Sequence, residues 1–265
     1  MTAQNHYIDV EKREGVGGWQ SESHYHNFYE IYFMDSGSCN YFVDSKIYAV
    51  SQNDLVFIPP RTIHQTVYRN TDPHRRVLIS FSGEYLAPPL IAPAKQLFRN
   101  VLYRPHDADA VRDILGRLYA EHRAGDAISD ELVRCCMSEL FACCVRNPST
   151  AEQVHTDAAG LIIERTAKYI SENFSQNITL PALAEAAGYS ETYFSRLFKA
   201  QTGFGCKEFI LLVRLRAAKE LLISSPKSVC EIAYECGFGD SNYFSSIFKK
   251  CEGITPVKYR RRYNS

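Results

Sequence analysis

The 265-residue chain has no stretch approaching the eighteen or so apolar residues of a membrane span, and its first twenty residues are polar and charged. Neither a spanning helix, nor a secretion signal, nor a membrane partner is expected, and the expected location is the cytoplasm. Nine cysteines is an odd count with no CxxC pair, which argues against a disulfide framework. Net charge is absent too, at +0, but it is unevenly spread: residues 1–159 carry 15 Lys+Arg against 20 Asp+Glu, and residues 160–265 carry 15 against 10. The C-terminal part is the basic one, as phosphate binding requires.

What is present is a stretch written twice. Leu183-Ala184-Glu185-Ala186-Ala187-Gly188-Tyr189-Ser190, continuing through Tyr193-Phe194-Ser195-Arg196-Leu197-Phe198-Lys199 to Gly203, returns as Ile232-Ala233-Tyr234-Glu235-Cys236-Gly237-Phe238-Gly239, then Tyr243-Phe244-Ser245-Ser246-Ile247-Phe248-Lys249 to Gly253. Two copies are too few for a solenoid, so the repeat reads as two binding units. Each has the grammar of helix, tight turn, helix. Thr179 caps the first helix with Pro181 in its opening turn, Gly188 stops it, and Ser190 caps the next. Tyr193, Phe194, Leu197 and Phe198 then form a buried face, leaving Glu191, Thr192, Ser195, Arg196 and Lys199 outward. In the second copy Ser228 and Glu231 make a capping box, Gly237 stops the helix, and Tyr243, Phe244, Ile247 and Phe248 are buried beneath Ser241, Asn242, Ser245, Ser246 and Lys249. Short helices about a Gly turn predict a helix-turn-helix, whose second helix enters the DNA major groove.

Upstream, Tyr29–Met34, Tyr41–Val43, Ile47–Val50, Leu55–Ile58, Gln65–Tyr68 and Val77–Phe81 read as strands, with a hairpin turn at Asp44-Ser45, and predict a small antiparallel barrel or sandwich. Pro88-Pro89 and Pro93 break this pattern. Two amphipathic helices follow, one with Val111, Ile114, Leu115, Leu118 and Tyr119 on its face, the other capped near Ser129 with Leu132, Cys136, Leu140 and Cys143. They close the barrel or pack on a second subunit. Cys136 and Cys143 would lie roughly 10 Å apart along that helix, too far to share one ion. Cys135, Cys136, Cys143 and Cys144 therefore read as packing residues, with a thiol switch at a dimer interface as the alternative.

Residues 147–159 are polar and aperiodic and read as a linker. Leu161, Ile162, Ala167, Ile170 and Phe174 start the C-terminal domain. Phe209, Leu212, Val213, Arg216, Ala217 and Leu221 mark a helix from about Lys207 to Ser224 joining the repeats. At roughly 25 Å it would hold two reading helices near one DNA turn, about 34 Å, apart.

Gly237-Phe238-Gly239-Asp240, Tyr243-Phe244-Ser245, Phe248-Lys249-Lys250 and Gly253-Ile254-Thr255-Pro256-Val257-Lys258-Tyr259-Arg260, with the first repeat copy and Arg214, Ala218, Leu221 and Leu222, resemble the AraC/XylS family of transcription regulators. The resemblance covers about residues 160–265. It implies base contacts from Thr192, Ser195 and Arg196 in the first copy and Asn242, Tyr243 and Ser246 in the second. Lys199, Lys249 and Arg260 would add backbone contacts. Arg196 is the strongest candidate, because guanidinium to guanine is the commonest specific contact. Ser246 departs from the pattern, since family members often have Arg there.

The N-terminal half resembles metal-binding cupins. Gly18, His24, His26, Glu30 and Gly37 keep the spacing of the first cupin motif, and Pro59 through His64 that of the second; Asn53 and Arg61 stand where glycine is usual, and Tyr68 where Asn is frequent. The resemblance implies that His24, His26, Glu30 and His64 converge, suited to a divalent ion such as Fe, Mn, Ni or Zn. Sensor domains of the regulator family keep similar spacings without metal, and the same four residues then mark an effector pocket. The implied fold is α+β: a cupin-like antiparallel β-barrel with two C-terminal helices over residues 1–146, then an all-α domain of two helix-turn-helix units joined by a long helix over residues 160–265. The implied function is a sequence-specific regulator, not an enzyme, controlled by a small-molecule effector. Double-stranded promoter DNA, a second copy in a homodimer and RNA polymerase are its implied partners. No cofactor is required. The alternatives are a metal-dependent cupin enzyme and a metal- or redox-responsive regulator.

Overall fold

The computed structural model describes residues 7–16, 26–68, 73–147 and 157–263. They form two compact units divided between Thr156 and Asp157. In the first, the strands are β1 (Ile8–Val16), β2 (Tyr29–Ser36), β3 (Ser38–Val43), β4 (Lys46–Ser51), β5 (Leu55–Ile58), β6 (His64–Val67), β7 (Pro73–Phe81) and β8 (Leu102–Tyr103). One sheet has the order β1-β7-β2-β5-β8 and the other β4-β3-β6. Neighbours run antiparallel, as in the nine-residue pairing of β1 with β7 and the pairing of β3 with β6.

Successive side chains of a strand point to opposite faces, so each strand of the larger sheet serves two cores. Ile31 and Phe33 of β2, Leu55 and Phe57 of β5, and Val77, Ile79 and Phe81 of β7 pack outward against helices. Tyr32, Met34, Val56 and Ile58 point inward, where they meet Cys39, Tyr41 and Val43 of β3. Strand β1 was not expected. Its Ile8 and Val10 join the outer core, while Asp9, Glu11 and Arg13 alternate with them and line a polar pocket.

Three helices cover the outer face, one more than expected: α1 (Pro88–Asn100), α2 (Ala108–Ala124) and α3 (Ser129–Arg146). Pro88 and Pro89 initiate α1, where a missing N–H is harmless, and Pro93 lies within it. The α2 face is as expected, with Val111, Ile114, Leu115 and Leu118 buried. Helix α3 differs at two points. Asp126, whose Oδ1 accepts from the Ile128 and Ser129 N–H groups at 3.0 Å, holds its start in place of a Ser129 cap. Its buried face is Val133, Cys136, Met137, Leu140, Phe141 and Cys144, so Leu132 is exposed and Cys143 is only partly buried.

Of the expected linker, residues 148–156 lie outside the described residues. Asp157 caps α4 (Ala158–Asn173), accepting from Gly160 N–H at 2.7 Å, so Ala158 and Ala159 are already helical. Ile163, Ala167 and Ile170 form the buried face of α4, and Leu161 is exposed. The second unit continues with α5 (Leu180–Ala186), α6 (Glu191–Thr202), α7 (Cys206–Ser224), α8 (Val229–Glu235), α9 (Ser241–Glu252) and α10 (Pro256–Tyr263). The expected caps are present: Thr179 Oγ1 accepts from Ala182, Ser190 Oγ from Tyr193, and Ser228 and Glu231 close their box reciprocally. At 19 residues α7 spans about 28 Å. It buries side chains all round, including Phe209, Val213, Leu215, Ala218 and Leu222, because it packs against α4, α6, α8 and α10 in one unit.

Two arginines fasten this unit to its own backbone. Arg214 of α7 donates to the carbonyls of Phe174 at 2.8 Å and Gln176 at 2.9 Å, in the segment between α4 and α5. Arg260 of α10 donates from Nε to the Leu222 carbonyl at 3.1 Å and from Nη2 to Lys227, in the segment between α7 and α8. The run Arg260-Arg261-Arg262 lies in the last turn of α10.

Candidate functional site

The two helix-turn-helix units are α5–α6 and α8–α9. In each, a glycine with positive φ, Gly188 at 73° and Gly237 at 81°, turns the chain between the helices. Phe194 and Phe198 of α6, and Phe244 and Phe248 of α9, are fully buried and anchor the second helix. Each such side chain contributes roughly 1.5–3 kcal/mol by burial, enough to fix which face looks outward.

On α6 that face carries exposed Thr192, Tyr193, Arg196 and Lys199, with Ser195 half-buried at its edge. On α9 it carries exposed Asn242, Tyr243, Ser246, Lys249 and Lys250. The expectation that Tyr193 and Tyr243 are buried is corrected: they are 45% and 57% exposed. Both follow their helix cap by three residues, and Phe194 and Phe244 take the buried position beside them. Tyr193 is therefore an outward-face residue that periodicity assigned to the core. Its ring lies 4.9 Å from that of Tyr189, centroid to centroid. Among the described residues, the side chains of Arg196, Lys199 and Lys249 make no hydrogen bond or ion pair. Arg260, by contrast, donates from Nε and Nη2 to two carbonyls of its own unit.

The N-terminal unit holds a cavity of about 190 Å³ lined by residues of both sheets. Glu30 of β2 pairs with Ser80 of β7, and Val43 of β3 with His64 of β6, which brings Glu30 and His64 to the shared interior. His26 precedes β2 rather than lying on it. Its carbonyl accepts from the Arg61 N–H at 2.8 Å, joining the segment before β2 to the segment before His64. Arg61 and Asn53, at the glycine positions of the cupin pattern, both adopt the left-handed conformation, with φ of 65° and 72°.

His26 Nε2 lies 3.2 Å from Glu30 Oε2 and His64 Nε2 3.6 Å from Glu30 Oε1. Tyr41 donates its hydroxyl to Glu30 Oε1 at 2.9 Å. Burial alone would raise the Glu30 carboxyl, but the charge of His64 and hydrogen bonding from His26 and His64 outweigh it and hold the group well below the usual carboxylate range. Burial, then the charge of Glu30, pushes the Tyr41 phenol well up, so it remains a donor. The structure brings together three of the four expected pocket residues, and His24 lies outside the described residues. Sequence reasoning missed Asp9, Glu11, Arg13, Gln65, Thr66, Arg76 and Ser80 in the lining. The even spacing of Arg76 and Ser80 on a strand that alternates with Val77 and Ile79 was the one signal for them.

Comparison with known proteins agrees with this division of labour. The AraC-like ligand binding domain matches residues 13–134, and a helix-turn-helix domain family matches residues 183–262, together more than half of the chain. The HTH-type transcriptional activator RhaR of Salmonella dublin is 22% identical over 254 residues, 91% of this chain and 87% of that protein. Among solved structures, the C-terminal domain of AraT, a response regulator from Geobacillus stearothermophilus, is 37% identical over 38% of this chain and 84% of its own, with a TM-score of 0.37. ToxT from Vibrio cholerae is 16% identical over 99% of this chain and 100% of its own, with a TM-score of 0.40. On the two family matches, the chain belongs to the AraC family of DNA-binding transcription regulators with a ligand-binding domain.

Proposed function

We propose that residues 160–265 read promoter DNA through α6 and α9, and that residues 1–146 take a small effector in the polar cavity of the β-domain. The observation that carries the reading is the paired outward face: Thr192, Ser195, Arg196 and Lys199 on one helix, and Asn242, Tyr243, Ser246 and Lys249 on the other, over matching phenylalanine anchors. Arg196 and Asn242 have the donor geometry for guanine and adenine edges, and the lysines suit phosphates. Tyr193 joins the contact set through its exposure. An effector alters DNA binding only by preferring one arrangement of the protein over another, so the cavity's ligand must bind the two arrangements unequally.

The protein acts in this reading without catalysis, as a homodimer in the cytoplasm, with RNA polymerase as a further contact. Its regulator relatives favour this over a cupin enzyme. No helix among the described residues is long and apolar enough to cross a membrane. Hydroxyl-radical footprinting on a duplex selected from a random pool tests the reading. Paired windows of protection centred about 10 bp apart on one DNA face are expected, since successive major grooves recur at that spacing. A single window per bound protomer would refute the two-helix assignment.

A further inference from the structure

We infer that His26, Glu30 and His64 form a binding site for a divalent first-row transition metal ion, so that the ligand of the β-domain cavity is the ion itself or a molecule held through it. The inference rests on the reading of this cavity as the effector site. It begins with the two imidazoles. His26 Nδ1 lies 3.0 Å from the Phe28 carbonyl and His64 Nδ1 2.8 Å from the Thr62 carbonyl. A carbonyl oxygen only accepts, so both Nδ1 atoms carry a proton, which turns each Nε2 toward the Glu30 carboxylate.

The two ring centroids are 4.9 Å apart, and both rings turn a nitrogen toward the same buried carboxylate, so the three groups outline a space for one shared cation. The geometry fits. Nitrogen and oxygen donors about 2.1 Å from a tetrahedral ion lie about 3.4 Å from one another, and here the Nε2-to-carboxylate distances are 3.2 and 3.6 Å. All three donor atoms lie within 4.8 Å of each other, so closure asks for a contraction of about 1.4 Å at most.

Each donor also has the outer partner that orients a metal ligand. The two imidazoles have their carbonyls, and Glu30 has the Tyr41 hydroxyl. In the cavity lining the carboxylates of Asp9, Glu11 and Glu30 outnumber the guanidiniums of Arg13 and Arg76, which favours entry of a cation. Two imidazoles and one carboxylate leave coordination positions open. Through these the ion accepts water or a chelating organic molecule, with an imidazole-rich preference for Zn, Ni, Co or Fe over Mg or Ca. Because Glu30 belongs to one sheet and His64 to the other, the bound ion clamps the two sheets together.

The full-length protein, stripped of metal by chelator and then dialysed, is titrated with Co(II). The expected result is a visible d–d absorption band saturating at one equivalent, abolished by an equivalent of Zn(II), with a rise in melting temperature. Glu30→Gln and His64→Gln, each first shown by circular dichroism to fold, should weaken Co(II) binding by at least roughly 10- to 100-fold. No saturable band in the wild-type protein, or wild-type Co(II) affinity in both variants, overturns the inference and leaves the regulator reading standing. Anisotropy with DNA in the presence and absence of Zn(II) separates the two: an ion that binds at one equivalent yet leaves DNA affinity unchanged supports the metal site and removes its effector role.

Discussion

Gly188 and Gly237 occupy matching turns and have similar positive φ, yet their surroundings differ. A Cβ added at Gly188 would meet nothing within 4 Å, whereas at Gly237 it would lie 2.7 Å from the Phe174 carbonyl oxygen and 2.9 Å from that of Ser175. The second turn is pressed against the segment that Arg214 holds, so Gly237 carries a packing constraint in addition to its backbone conformation. Gly188→Ala should cost about 1 kcal/mol, the left-handed penalty alone, and Gly237→Ala more than about 2 kcal/mol. Urea unfolding of the two variants measures the difference, and equal losses would contradict the close approach.

The cysteines of α3 sort by the same logic of surroundings. Burial pushes the Cys136 and Cys144 thiols up, and elsewhere burial raises Cys206 to about 11 and Cys39 and Cys236 to about 12. A raised pKa leaves the thiol protonated at pH 8, and the thiol is not the nucleophile. Alkylation of native protein at pH 8 should therefore label exposed Cys135 and Cys230 first, with Cys39, Cys136, Cys144, Cys206 and Cys236 reacting only after unfolding. Rapid labelling of Cys136 or Cys144 would revive the thiol-switch alternative that the sequence left open.

At the scale of elements, the duplicated unit was legible because every local signal agreed there: caps, turn glycines, and a period of 3.6. The β-domain was harder for a reason connected with its site. Strand β1 alternates Val10 and Lys12 with Asp9, Glu11 and Arg13, and its inner face is charged because it lines the cavity, so the apolar alternation of a strand was missing. Helix α1 was hidden by prolines that start it, and the buried face of α3 keeps Cys136 and Leu140 but takes Val133 and Cys144 in place of the expected Leu132 and Cys143. His26, Glu30 and His64 could be named from spacing, whereas Arg76, Thr66 and Ser80 join them only through cross-strand register, which spacing along one chain does not contain.

For the whole molecule, the acidic and basic halves correspond to different tasks. The first unit surrounds a small polar cavity, and the second places two outward helices on a scaffold fastened by α7, Arg214 and Arg260. The two copies are unequal in chemistry: α6 presents Arg196 where the matching position of α9 presents Ser246. Base discrimination should accordingly be concentrated on α6, with α9 fixing register through Asn242 and Lys249. The direct test is fluorescence anisotropy of wild-type and Arg196→Ala protein on a selected duplex and on a scrambled one. Loss of one bidentate guanine contact, about 1–3 kcal/mol, should reduce the ratio of the two affinities by roughly 5- to 150-fold while binding to the scrambled duplex changes little. An unchanged ratio would contradict the assignment of α6 as the principal reading helix.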